Sequence, residues 1–141
     1  MSALTIEGYA SLFDLADLSG DVVLRGAFAQ SLKSGRTVPM LFQHDPGEPI
    51  GVWRELVEDA RGLRVRGEIL AETTRGRSAL ALVRRGAVDG LSIGFRTRQA
   101  RPRRPHGRYL AAIDLWEISI VTFPLLPQAR LQLSPEPALA A

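Results

Sequence analysis

The chain has 141 residues, enough for one domain with a core of its own, and its 45% hydrophobic and 23% charged residues are ordinary for a globular protein. It has no cysteine, which excludes disulfides, thiolate catalysis and cysteine-ligated zinc. The formal net charge is +3, carried by arginines with Lys33 as the only lysine; the arginines cluster only in Arg96 to Arg108, which a solvated hairpin tip explains at least as well as a nucleic-acid partner, so no nucleic-acid partner is expected.

The opening MSALTIEGYASLFD has neither a basic start nor a long apolar run, so no signal peptide is expected. No apolar stretch approaches the ~20 residues that span a bilayer, and the expected location is cytoplasmic. LTIEGYASLF alternates as a strand and runs into the turn-rich DLADLSGD. VVLRGAFAQSLKSG passes from a short strand into a helix, with Ala27, Phe28, Ser31 and Leu32 near helical spacing and Gly35 as its stop. TVPMLFQH is an apolar strand ended by the turn signal DPGEP. IGVWRELVED and GLRVRGEIL predict a hairpin joined around Asp59 to Gly62.

TTRGRSALALVRRGA predicts an amphipathic helix, with Leu80 and Val83 in its apolar stripe and Gly86 at its end. GLSIGFRTRQ is then a strand, followed by an arginine-rich tip and the return strand RYLAAIDLWEISIV. TFPLLPQARLQL closes a domain spanning 1–133, and SPEPALAA, residues 134–141, is expected to be a disordered tail. There is no repeat and no regular βαβ alternation. The expected class is therefore mainly β with helices, a mostly antiparallel barrel flanked by helical segments.

Gly90 to Gly94, GLSIG, fits the G-x-S-x-G pattern of a hydrolase nucleophile elbow, but that turn needs a strand before the serine and a helix after it. Here the helix precedes and the strand follows. The only histidine after Ser92 is His106, with no acid between them, so the hydrolase order fails as well. On a strand, Ser92 shares a face with Gly94 and Arg96, and the small Gly90 and Gly94 leave room for another segment to approach. A small residue at a strand start is the plain alternative.

Two histidines can supply an imidazole base. His106 lies in the arginine-rich tip and is expected to be solvated. His44 ends an apolar strand and, by alternation, shares a face with Met40 and Phe42. Two histidines so differently placed give no metal-ligand spacing, and no cofactor is expected. Glu117 lies in DLWEISIV with Leu115 and Ser119 on its face and Trp116, Ile118 and Ile120 opposite. A carboxylate there needs a partner. It either neutralises an arginine or orients an imidazole as the acid of a Ser-His-acid triad. Asp114, three residues away, falls on the opposite face of a regular strand.

The segments GYASLFD, GDVVLRGAF, VPMLFQHDPGEPIG, RGLRVRGEI, RRGAVDGLSIGF and WEISIVTFP follow one another up to about Pro127. In that order they resemble the prohead maturation proteases of tailed bacteriophages, serine proteases distantly similar in fold to the herpesvirus assemblins. The resemblance implies a barrel surrounded by helices, with Ser92 as nucleophile, His44 as general base and Glu117 as third member. A glutamate in that place departs from the assemblins, which use a second histidine. The implied substrates are capsid-protein and scaffold segments inside an immature shell, with self-cleavage and a homodimer by analogy. The short length suggests a protease without a fused scaffold, as in compact phages or phage-derived gene transfer agents. The rival reading is a non-catalytic capsid-assembly or nucleic-acid-binding module that uses the Arg96 to Arg108 hairpin.

Overall fold

The computed structural model describes residues 3–135. Its elements in chain order are β1 (Leu4–Leu12), β2 (Val22–Val23), α1 (Ala29–Lys33), β3 (Pro39–Phe42), β4 (Gly51–Glu58) and β5 (Gly62–Ile69). They continue with α2 (Thr74–Arg84), β6 (Gly90–Pro102), β7 (Arg108–Val121) and β8 (Leu131–Leu133). The strands form one curved sheet in the order β2-β7-β3-β4-β5-β1-β8, with β6 also paired to β7. Most pairs are antiparallel, whereas β2 and β3 run parallel to β7. The far ends of the sheet meet at the isolated bridge between Gly90 and Arg130, next to a Leu91 N–H to Ala129 carbonyl bond. The barrel is thus bridged at that corner and otherwise left open between β6 and β1.

The core follows from the alternation of the strands. Leu91, Ile118, Ile120 and Met40 are fully buried and come from three adjacent strands, and Leu63, Val65 and Ile69 of β5 join them in the same core. Each such side chain contributes about 1.5–3 kcal/mol on burial. The β4–β5 hairpin turns at the expected place, with the Asp59 carboxylate accepting from the N–H groups of Arg61 and Gly62. Helix α2 buries Ala79, Leu80 and Val83, and Gly86 ends it with φ of 78°.

Two local departures from simple alternation position the site. In β7 the register against β6 slips between Glu117 and Leu115, so Trp116 is an extra residue. Ile113 and Leu115 are buried before the bulge and Ile118 and Ile120 after it, while Trp116 is 49% exposed. Asp114 and Glu117 consequently project from the same side of the sheet, not from opposite sides as regular pleating predicts. In β3 the strand ends at Phe42, and Gln43 and His44 both adopt left-handed backbone, with φ of 55° and 60°. His44 therefore leaves the Met40–Phe42 face and turns to the other side.

The arginine-rich segment is mostly strand, with only residues 103–107 left as a tip. Sheet pairing at the other terminus runs on through Ser134, whose N–H donates to the Thr5 carbonyl and whose hydroxyl donates to Glu7. The rest of the expected tail, residues 136–141, lies outside the described residues. Among the described residues no helix is long and apolar enough to cross a membrane.

Candidate active site

Cross-strand pairing decides which side chains share a surface, because residues directly opposite each other point the same way. Ser92 is opposite Ser119, and Gly94 is opposite Glu117. Ser92, Ser119 and Glu117 thus stand on the face turned away from Leu91, Ile93, Ile118 and Ile120. The left-handed turn after β3 delivers His44 to this same face. Its backbone N–H donates to Ser119 Oγ at 3.0 Å, and its Nδ1 lies 2.5 Å from Glu117 Oε2. Ser119 Oγ in turn donates to Glu117 Oε1 at 2.8 Å.

Both carboxylate oxygens of Glu117 are therefore engaged, one by the imidazole and one by a fully buried hydroxyl. The Glu117 side chain is 15% exposed and that of His44 is 44% exposed. The imidazole bridges a shielded carboxylate and open solvent. With Nδ1 held by the carboxylate, Nε2 is the nitrogen left to act. Ser92 is 8% exposed, and among the described residues its hydroxyl has no hydrogen-bond partner, His44 included. The structure thus brings His44 and Glu117 into contact and sets Ser92 beside them on the strand opposite Ser119.

Gly94 explains how the carboxylate reaches its position. A Cβ there would collide with Glu117 Oε2. The glycine leaves space for a neighbouring side chain, where the sequence suggested room for another segment. Gly90 is also confined, since its Cβ would meet Val121 O and Pro124 Cδ at 2.7 Å.

The other candidates are placed elsewhere. His106 is exposed in the tip and packs at Gly20. Asp114 is held by Arg98 at 3.1 Å and has no contact with His44. Arg108 pairs with Asp21 at 2.8 Å, and this bond raises the guanidinium's already high pKa. Arg101 stacks on Tyr109, and Arg103 donates to the Gly20 and His106 carbonyls. Much of the hairpin's charge is thus committed within the fold. Among the described residues no cluster of three or more histidines and acids is arranged to hold a metal.

The model of the caudovirus prohead serine protease family matches residues 1–138. The chain belongs to that family. It is 40% identical over 129 residues to the prohead protease of Enterobacteria phage HK97, covering 89% of this chain and 57% of that protein. The chain thus spans little more than half the length of this relative. Among solved structures, the bacteriophage T4 capsid assembly protease is similar with a TM-score of 0.66 at 13% identity, covering 84% of this chain and 82% of that one. The varicella-zoster virus protease is similar with a TM-score of 0.60 at 14% identity, covering 96% of this chain and 65% of that one. At these identities the likeness is one of fold, and it agrees with the assemblin-like, strand-rich architecture.

Several residues of the site were not singled out by the sequence. Ser119 is two positions from Glu117, so strand alternation alone puts both on one face. Gln43 exchanges hydrogen bonds with Thr122, its Nε2 donating to Oγ1 at 2.7 Å and its Oε1 accepting from the Thr122 N–H at 3.2 Å. Asp45 accepts from the Gly47 N–H and from Arg75, and these bonds, in that order, hold its carboxyl below the ordinary value. No local signal links Gln43 to Thr122 or Asp45 to Arg75, because each pair is joined only by the fold.

Proposed function

We propose that this chain is a serine endopeptidase with Ser92 as nucleophile, His44 as general base and Glu117 as the acid that orients the imidazole. The observation that carries the reading is the 2.5 Å pair of His44 Nδ1 and Glu117 Oε2 on the face that Ser92 occupies. Family membership supports the reaction class. Substrate binding draws Ser92 Oγ and His44 Nε2 together, a contact that free enzymes often leave long. Nε2 then takes the hydroxyl proton as Oγ attacks the peptide carbonyl. Glu117 stabilises the imidazolium, which passes its proton to the departing amine. Water, deprotonated by the same nitrogen, releases the acyl group from Ser92.

The substrates in this reading are capsid-protein and scaffold segments inside an assembling procapsid in the host cytoplasm, and trimming of the chain's own termini in the same assay would add the protease to them. A homodimer belongs to the same reading, and the exposed side chains of Leu18, Phe123 and Leu125 provide apolar surface for it. The test is co-expression with the capsid-protein precursor. Wild type should shorten the precursor, while Ser92→Ala and His44→Ala should leave it intact with unchanged circular dichroism. Processing at the wild-type rate by either variant would overturn the assignment.

A further inference from the structure

His44 sits in a tight turn that the Asp45 N–H closes onto the Phe42 carbonyl at 3.1 Å. Gln43 and His44 are consecutive non-glycine residues in left-handed backbone, a conformation that L side chains adopt only where the surroundings enforce it. The N–H groups of Gln43 and His44 are tied across to the Ile120 carbonyl and to Ser119 Oγ. The flanking side chains add further tethers to this turn. On one side Gln43 is fastened to Thr122. On the other, Arg75 Nη2 donates to Asp45 Oδ2 at 2.6 Å, and its Nη1 lies 3.9 Å from Glu48 Oε1. One guanidinium thus gathers both carboxylates of the Asp45–Pro46–Gly47–Glu48 turn.

Arg75 is poorly placed for the stability of its own helix. It lies in the first turn of α2, where a cation opposes the helix dipole and where no acidic residue is present. The base from which it reaches is nevertheless firm. Thr73 caps the helix by accepting from the Gly76 N–H at 2.9 Å. A Cβ at Gly76 would collide with the Leu70 carbonyl, so the helix start is pressed onto the end of β5. A charge costly to the helix, mounted on a rigid base and aimed at the residue after His44, has a tertiary purpose.

We infer that Arg75 is a positioning residue for the proposed protease, holding the His44 turn through Asp45 so that the imidazole stays on the Glu117 carboxylate. The inference rests on the protease reading for its consequence in turnover, but the placement of the imidazole can be read without any cleavage. The variants are Arg75→Ala, Arg75→Lys, Asp45→Asn and the Arg75→Ala/Asp45→Asn double variant. The first readout is the downfield proton resonance of the His44–Glu117 hydrogen bond, assigned by its loss in His44→Gln.

The resonance should be sharp in wild type, broadened or lost in Arg75→Ala and Asp45→Asn, and restored in large part by Arg75→Lys. Cleavage of the capsid-protein precursor should fall about 10- to 100-fold in turnover with KM little changed, the effect of a small misplacement of a catalytic group. The double variant should be no worse than the worse single one, because both remove the same tether. An Arg75→Ala protein that keeps a wild-type resonance overturns the inference, even if its melting temperature falls. A resonance that responds as expected while Ser92→Ala still processes the precursor supports the clamp and removes the protease reading instead.

Discussion

At Gly94 the missing side chain is the space in which the Glu117 carboxylate lies. The atoms a methyl group would meet belong to the outer part of a flexible side chain, so Gly94→Ala should fold but push Glu117 off the imidazole. Its turnover should fall toward that of Glu117→Gln, with a melting temperature close to wild type. Glu117→Gln itself should lose roughly two to four orders of magnitude in turnover, the range for replacing the acid of such a triad. If Glu117 served only to anchor the turn, both variants would lose stability and retain activity per folded molecule. Kinetics paired with thermal melts separates the cases.

Ser92, His44 and Glu117 became candidates through the resemblance of the segments around them, because fifteen acidic residues and several serines leave residue type alone undecided. Their mutual geometry was less accessible. The left-handed pair Gln43–His44 carries no glycine to announce it, so alternation placed His44 on the wrong face of β3. A local bond from the Asp45 N–H to the Phe42 carbonyl closes that turn, and tertiary bonds at Ser119 and Thr122 support it across 75 and 79 residues.

Among elements, β7 is the one that organises the site, and its bulge at Trp116 brings Asp114 and Glu117 to one side of the sheet. Without the bulge Asp114 and Glu117 would face opposite ways; with it they share a side, and partner choice separates them. Asp114→Asn should therefore leave turnover unchanged and cost at most about 1 kcal/mol, since its bond to Arg98 is partly exposed. A loss of activity in this variant comparable to Glu117→Gln would show that the acid had been misassigned.

The strand and hairpin pattern was readable from alternation and turn residues, as the Asp59–Gly62 turn illustrates. The bulge was not, because an extra residue in one strand is visible only against its partner.

The same hairpin gives a pH prediction. Tyr9 donates to Asp59 at 2.6 Å, which raises the phenol above 10.0 and lowers the carboxyl below 3.8. For the carboxyl, whose folded pKa is depressed, the stabilisation is present above 3.8 and lost as pH falls through the lower folded value. For the phenol, whose folded pKa is raised, it is present below 10.0 and lost as pH rises through the higher one. The stability gap between wild type and Tyr9→Phe should be flat across neutral pH and narrow at both extremes. A gap that does not change with pH would exclude this bond as its source.

For the whole molecule, the sheet is bridged at Gly90 and Arg130 and open beside β6, so this strand has one edge paired to β7 and the other largely free among the described residues. Ser92 thus lies on a strand beside the opening of the sheet, while the core behind it stays packed. A homodimer predicts a sedimenting species of twice 15.4 kDa that dissociates when Phe123 is replaced by a charged residue. A monomer at all concentrations tested would remove the dimer from the proposal.

Covalent labelling tests whether Ser92 is a nucleophile activated by a carboxylate-held His44, without knowledge of the cleavage site. Purified protein treated with a fluorophosphonate should gain one adduct by intact mass, mapped to Ser92 by peptide sequencing. His44→Ala and Glu117→Gln, folded by circular dichroism, should react far more slowly. An adduct on another serine, or equal labelling of Ser92 in His44→Ala, would show that Ser92 is not a nucleophile activated by His44.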